Sequence, residues 1–243
     1  MIALTHIPLP ASHQPQSFLV FSAAAQEADR TLETILIDHK PSLVGVAQNP
    51  KVIVKLIKPR KWHDRIKMLW RHSRLHKEID GNLLLQRLGF RVPSIIESGA
   101  GFSTLLGKPF LGYYLMENLH QSGFAEAKPL FSVQQLDDQQ LSDQSANDKQ
   151  VAEKRAVILQ QIIAGLKTLR DQRVVFSDFH LDNVLVDAND NLAWIDTGVT
   201  YYQWYRGHKF KQKFNFSIER FIRYYSDDFF TAAEQQLLRE LLL

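Results

Sequence analysis

The stretch VVFSDFHLDNVLVDANDNLAWIDTG, residues 174–198, decides how the rest of the chain is read. Two short apolar runs, VLV and LAWI, flank the turn-forming sequence DANDN, so the segment predicts a β-hairpin of buried strands. Asp178 and Asn183 bound the loop that enters the first strand, and Asp196 follows the second, just before Thr197 and Gly198. Three oxygen-bearing side chains at the ends of one hairpin can converge, and such a set suits a hard cation such as Mg2+. Each alone has a plainer reading: Asp178 or Asp196 can cap a turn, and Asn183 can satisfy backbone. What singles them out is the conjunction of loop, strand, hairpin and DTG with a preceding amphipathic helix, on which Leu159, Ile162, Ile163, Leu166 and Leu169 share a face.

Upstream, KVIVKLI (51–57) alternates and is rich in β-branched residues, as a strand should be. Segments 17–21, 34–38 and 43–47 read as further short strands, with a turn at Asn49-Pro50. From Trp62 the period becomes helical and predicts a helix through Leu88, stopped by Gly89 with Pro93 beyond. SIIESG (94–99) and PFLGYYLMENL (109–119) read as two more strands, so this half is a strand group interrupted by one helix. The Gln-, Asp- and Ser-rich stretch 132–150 reads as a solvated loop or a weak helix.

With 243 residues, 45% apolar and 11% aromatic, the chain has core material for one large domain or two small lobes, which excludes disorder. The absence of cysteine excludes disulfides, thiolate metal sites and a cysteine nucleophile. No run approaches a membrane span, and the first sixteen residues, broken by Pro8, Pro10 and His13, fail as a secretory signal, so a cytoplasmic location is expected. A net charge of +3 conceals two basic blocks, +7 over residues 58–77 and +5 over 206–223, against −9 for the remainder. In the first block Trp62, Ile66, Leu69 and Trp70 form an apolar stripe among Arg60, Lys61, Arg65, Arg71 and Arg74. Such a stripe suits an anionic membrane surface, and equally suits packing on the protein's own lobe. The second block interleaves aromatics with cations. Sugar stacking on Trp204 or Tyr205 and phosphate pairing by Arg206 or Lys209 both fit it; nucleic acid could use the same composition, so the block discriminates poorly, and nucleic acid is not the expected partner.

The run ILQQIIAGLKTLRDQRVVFSDFHLDNVLV (158–186), with LAWIDTG (192–198), resembles the catalytic core of the protein-kinase-like phosphotransferases. FSDFHLDN stands in place of HRDxxxxN and DTG in place of DFG. The resemblance implies a two-lobed α+β fold: a small N-terminal β-sheet lobe with one main helix over 1–116, a hinge at 117–120, and a short, mostly helical catalytic lobe over 121–243. It implies ATP and Mg2+ as cofactors, Asp178 as the catalytic aspartate, and Asn183 and Asp196 as the metal-binding pair. Lys55, closing VIVK, and Glu78, on the next helix, occupy the places of the phosphate-binding lysine and its partner. Lys58 competes for the lysine role but lies beyond the alternating part of the strand. Glu117 to Leu119 occupy the place where backbone groups bond adenine, and Leu185 that of the apolar floor under the base. A strand end and a buried leucine would read the same way. His180 matches the DLH pattern of small-molecule phosphotransferases, where it would hold the transferring phosphate; a loop histidine capping backbone is the equal alternative.

The departures narrow the family. There is no GxGxxG over the first hairpin, where DHKPS (38–42) stands, and Lys40 is either a substitute or a solvated turn lysine. Phe176 replaces the His of HRD, Thr197 replaces the Phe of DFG, and no APE-like anchor follows. Together with VIVKLIKPRKW and HKEIDGNLLLQRLGFRVPSIIESG, these features look most like the bacterial lipopolysaccharide core kinases, the Kdo and heptose kinase group, over residues 43–202. That resemblance implies a lipopolysaccharide core or lipid A-linked sugar as acceptor, and peripheral contact of residues 58–77 with the cytoplasmic face of the inner membrane. The rival readings are an atypical small protein kinase, which could act within a tRNA-modification complex, and a pseudokinase that serves as a binding protein.

Overall fold

VIVKLI forms strand β4 (Val52–Ile57), and its alternation organises the first unit. In this computed structural model, the described residues are 2–3, 25–61, 63–64, 67, 73–105, 108–132, 145–225 and 229–243. The expected strand at 17–21 lies outside them, as do Trp62, Ile66, Leu69 and Trp70 of the expected membrane-facing stripe. The chain divides into two units, Met1–Asp80 with Pro93–Gly123, and Gly81–Val92 with Phe124–Leu243.

The first unit holds a six-stranded antiparallel sheet in the order β1-β2-β3-β4-β6-β5, with β1 (Ile2–Ala3), β2 (Thr31–Asp38), β3 (Ser42–Ala47), β5 (Ile95–Leu105) and β6 (Lys108–Glu117). A one-turn helix α1 (Glu27–Arg30) leads into β2. Every residue of β4 is buried, but its two faces differ, since successive side chains of a strand point to opposite sides. Val52, Val54 and Leu56 join Leu32, Leu43, Phe110 and Leu115 in one cluster. Ile57 joins Leu75 and Ile79 of helix α2 (Arg74–Arg87) in another, with Ile95, Leu111 and Tyr114. Parity therefore puts Lys55 on the α2 side of the sheet. The expected helix from Trp62 to Leu88 is described as a continuous helix only from Arg74. The turn of α2 after Asp80 counts with the second unit, where Leu85 enters the main core.

The second unit is built on the long helix α3 (Ser145–Asp171), which buries Ile158, Leu159, Ile162, Leu166 and Leu169. This is the expected face, except that Ile163 is only partly buried. Two small antiparallel sheets flank the loop motif: β10-β9-β7 (Leu192–Trp194, Val184–Val186, Ala125–Glu126) and β11-β8 (Val199–Tyr201, Val174–Phe176). The expected hairpin is β9-β10, and its DANDN turn closes because Asp187 Oδ1 accepts from the amides of Asn189 and Asn191, both at 2.8 Å. Gly165 of α3 lies under Trp194: a β-carbon there would come within 2.8 Å of the indole. Helix α4 (Gly207–Tyr224) buries Phe210, Phe214, Ile218, Phe221 and Ile222, an amphipathic spacing that sinks much of the second basic-aromatic block into the core. Trp204, Tyr205, Phe216 and Tyr224 remain exposed. Helix α5 (Ala232–Arg239) opens with a capping box between Thr231 and Glu234, and Arg155 of α3 grips Glu234 through two bonds at 2.8 and 2.6 Å.

Candidate active site

In the first unit, Lys55 Nζ meets Glu78 Oε2 at 2.9 Å, both side chains being almost wholly buried at 7% and 4% exposure. A charge removed from water must be paired and bonded, and this pair is framed on both sides. The Tyr114 hydroxyl donates to Glu78 Oε2 at 2.8 Å, and Arg74, one turn earlier on α2, donates to Oε1 at 2.6 Å. Lys58 goes elsewhere: its ammonium bonds Asp38 and the His39 carbonyl at the tip of the first hairpin. Lys40, in that same tip, is exposed. Of the residues after β6, Glu117 N donates to Ser94 O at 2.9 Å and Asn118 N to Lys51 O at 2.7 Å. The Asn118 side chain then caps the short helix Leu119–Ser122, in which Leu119 is buried.

In the second unit the loop 177–183 runs from β8 into β9. Asp178 is exposed, and its Oδ1 lies 3.1 Å from His180 Nε2 and 2.5 Å from Arg220 Nη2 of α4. The Asn183 side-chain amide donates to the Asp178 carbonyl at 3.0 Å, which turns its Oδ1 away from that bond and leaves it suited to a cation. The Asn183 carbonyl accepts from Ile195 N at 2.9 Å, so Asp196 directly follows a residue bonded to Asn183. Asp196 itself sits at φ +52°, a conformation that a non-glycine residue holds at a cost. Two tight bonds follow it, Gly198 N to Asp196 O at 2.7 Å and Val199 N to Thr197 O at 2.8 Å. Gly81 is required against this turn, because a β-carbon there would stand 2.1 Å from the Thr197 carbonyl. Leu185 is buried in β9, opposite Ala193 and Glu126.

Among the described residues no group of three or more His, Asp or Glu side chains is set to hold a metal. Mg2+ typically takes one or two protein oxygens and completes its shell with water and phosphate, and Asn183 with Asp196 fits that donor set. A concavity of about 680 Å3 in this unit is lined by Phe90, Arg91, Phe124, Gly165, Asp187 and Trp194 and touches none of these residues. Among the described residues no helix is long and apolar enough to cross a membrane.

Several residues that organise the loop escaped the sequence reading. Ser217 donates to the Phe176 carbonyl at 2.6 Å, Arg220 donates to the Ser177 carbonyl at 2.9 Å, and the Phe221 ring packs at a tilt on Phe179 with centroids 4.5 Å apart. The Tyr225 hydroxyl accepts from Leu181 N at 3.1 Å and donates to Asp182 Oδ2 at 2.9 Å, while Lys128 holds Asp182 Oδ1 at 2.8 Å. Phe176, in the place of the HRD histidine, lies with Phe179 and Trp194 in an aromatic cluster with centroid distances of 5.1 to 6.0 Å. The only signal for the α4 contacts was the spacing of 217, 220, 221 and 225, which shares one helical face.

No family model and no curated protein matches the chain. Among solved structures it is similar to WaaP in complex with acyl carrier protein, with 13% identity and a TM-score of 0.56 over 88% of this chain and 80% of that one. At that identity the likeness is one of fold. The chain has a two-lobed α+β architecture, an N-terminal β-sheet lobe and a C-terminal helical lobe, of the protein-kinase-like kind.

Proposed function

We propose that this protein is an ATP- and Mg2+-dependent phosphotransferase acting on a sugar hydroxyl of the lipopolysaccharide inner core, Kdo or heptose. The observation that carries the reading is the buried Lys55–Glu78 ion pair, which selects Lys55 over Lys58 in the role the catalytic motif requires. Lys55 would hold the nucleotide's α- and β-phosphates, with Glu78 fixing its direction. The amides of Glu117 and Asn118 are engaged by Ser94 and Lys51, so we assign the bond to the base to the amide of Leu119. Asn183 and Asp196 would hold Mg2+, which would neutralise charge on the phosphates. Asp178 would accept the proton of the acceptor hydroxyl as the new oxygen–phosphorus bond forms and the bond to the departing ADP breaks. His180, bonded to Asp178 Oδ1, would orient it or touch the transferring phosphate.

The sugar acceptor is supported by the resemblance in sequence over 43–202 and by the fold shared with WaaP. Exposed Trp204 and Tyr205, beside Arg206 and Lys209, offer stacking and phosphate pairing to such an acceptor. We place the enzyme at the cytoplasmic face of the inner membrane, with the exposed cations Arg60, Lys61, Lys67 and Lys77 of the 58–77 block toward anionic headgroups; Lys58 and Arg74, tied to Asp38 and Glu78, take no part in such a contact. Two measurements test the proposal. Calorimetry should show Mg2+-dependent ATP binding that Asp196→Ala abolishes and Asp178→Ala retains, the latter losing on the order of a hundredfold or more in turnover. Mass spectrometry of lipopolysaccharide from cells with and without the gene should show one core phosphate missing; an unchanged core rejects the acceptor, and absent nucleotide binding rejects the enzyme.

A further inference from the structure

Helix α4 and its C-terminal cap, Tyr225, bond or pack against the end of β8 and the loop after it at four successive points. Ser217 takes the carbonyl of Phe176, Arg220 the carbonyl of Ser177 and the carboxylate of Asp178, Phe221 the ring of Phe179, and Tyr225 the amide of Leu181 and the carboxylate of Asp182. Three of these fix backbone or packing. Arg220 differs, because it alone reaches the carboxylate proposed to meet the acceptor. Its Nη2 spends one proton on Ser177 O and one on Asp178 Oδ1, so the guanidinium ties the direction of the side chain to its own backbone. His180 Nε2 lies on the same Oδ1. Both bonds fall on one carboxylate oxygen, and Oδ2 shares in neither. A carboxylate bonded in this way cannot rotate freely about its last torsion, and Oδ2 is held in a single direction.

We infer that Arg220 is a positioning residue, which orients Asp178 through Oδ1 so that Oδ2 is presented to the acceptor hydroxyl. The inference rests on the reading of Asp178 as the residue that accepts the hydroxyl proton. Arg220 and Asp178 are substantially exposed, at 37% and 66% of their side chains, and an ion pair so open to water contributes little to stability. The contribution of Arg220 is therefore to geometry, and misplacing a reacting group by about 1 Å can cost on the order of a hundredfold in rate.

The test compares the full chain with its Arg220→Ala, Arg220→Gln and Arg220→Lys variants. The assay uses radiolabelled ATP with Mg2+, and inner-core lipopolysaccharide from cells lacking the gene as the acceptor. Amide exchange of the peptide covering 177–183 and thermal unfolding are measured in parallel. The expected result is a fall in kcat of roughly ten- to a hundredfold for Ala and Gln, with KM for both substrates changed less than twofold, Tm unchanged, and partial recovery by Lys. Exchange over 177–183 should quicken in the Ala variant. An unchanged kcat, a loss confined to the acceptor KM, or a Lys variant no better than Ala overturns the inference. Should the wild-type protein transfer no phosphate, the functional reading fails by itself. Unaltered exchange over 177–183 would then reject Arg220 as the holder of the loop, and faster exchange would retain it.

Discussion

Tyr225 donates its hydroxyl proton to Asp182 Oδ2 at 2.9 Å and, through the same oxygen, accepts from the amide of Leu181 at 3.1 Å. The ring is fully buried, so the end of α4 is locked to the loop by a group that has no water to fall back on. Tyr225→Phe leaves the Leu181 amide without an acceptor and should cost about 1–3 kcal/mol in urea unfolding. Tyr224→Phe, at an exposed ring, should stay within about 0.5 kcal/mol.

Asp182 and Glu234 titrate below their ordinary range. Burial opposes the ionised form of Asp182, but the bonds from Lys128 and Tyr225 outweigh it; burial opposes that of Glu234, but Arg155 and the Thr231 amide outweigh it. A lowered native pKa stabilises the fold above the ordinary value and loses that contribution as pH falls through the native one. Stability should therefore decline as pH drops below about 4.5, the ordinary value for Glu234. Tyr225 moves oppositely: burial and then the Asp182 bond raise its pKa, so its contribution is lost as pH climbs past 10.0. Thermal unfolding across pH should trace both limbs. Arg155→Ala should lower stability at pH 7 and flatten the acid limb, and an unaltered limb would remove Glu234 as its source.

Lys55 and Lys58 provide an internal control. Lys55→Met should reduce phosphotransfer by on the order of a hundredfold, because its charge would be realised on the nucleotide's phosphates. Lys58→Met disturbs only the tie to Asp38 and His39 in the first hairpin, and should change turnover less than about threefold. Equal losses would show that the pairing with Glu78 does not mark the phosphate-binding lysine.

The exposed face of α4 carries Lys209, Lys213 and Arg223. If an anionic acceptor lies along it, the double variant Lys209→Ala, Lys213→Ala should raise the acceptor KM severalfold at low ionic strength, with kcat retained. The difference should shrink near 0.5 M salt, where the Debye length falls to about 4 Å. A salt-independent effect would argue for altered structure instead of lost attraction.

The β9-β10 hairpin was legible because alternation, an Asp-Asn turn and strand propensity all act locally. The Lys55–Glu78 pair was legible only through the resemblance, which implies a lysine closing this strand and a glutamate on the next helix; that α2 covers the Lys55 face is what the structure adds. Arg220, Ser217 and Tyr225 were not, since they meet the loop across 41 to 44 residues and no local pattern encodes such a meeting. Their block was read by composition as a docking surface, whereas its period also encoded a buried stripe through Phe210, Phe214, Ile218, Phe221 and Ile222. The assignment of Gly81–Val92 to the second unit was invisible for a related reason: Gly81 lies against the Thr197 carbonyl, far along the chain, and no local pattern encodes that approach.

The Gly165–Trp194 contact has a consequence for how this chain can change. A glycine inside a helix costs about 1 kcal/mol relative to alanine, and here the indole occupies the volume that a methyl group would need. Position 165 cannot enlarge alone, and shrinking Trp194 alone would open a void beside Phe90 and Phe176. Positions 165 and 194 therefore behave as one unit of inheritance. Among descendants of this sequence, a larger residue at 165 should arrive together with a smaller one at 194, each substitution being harmful until the other is present.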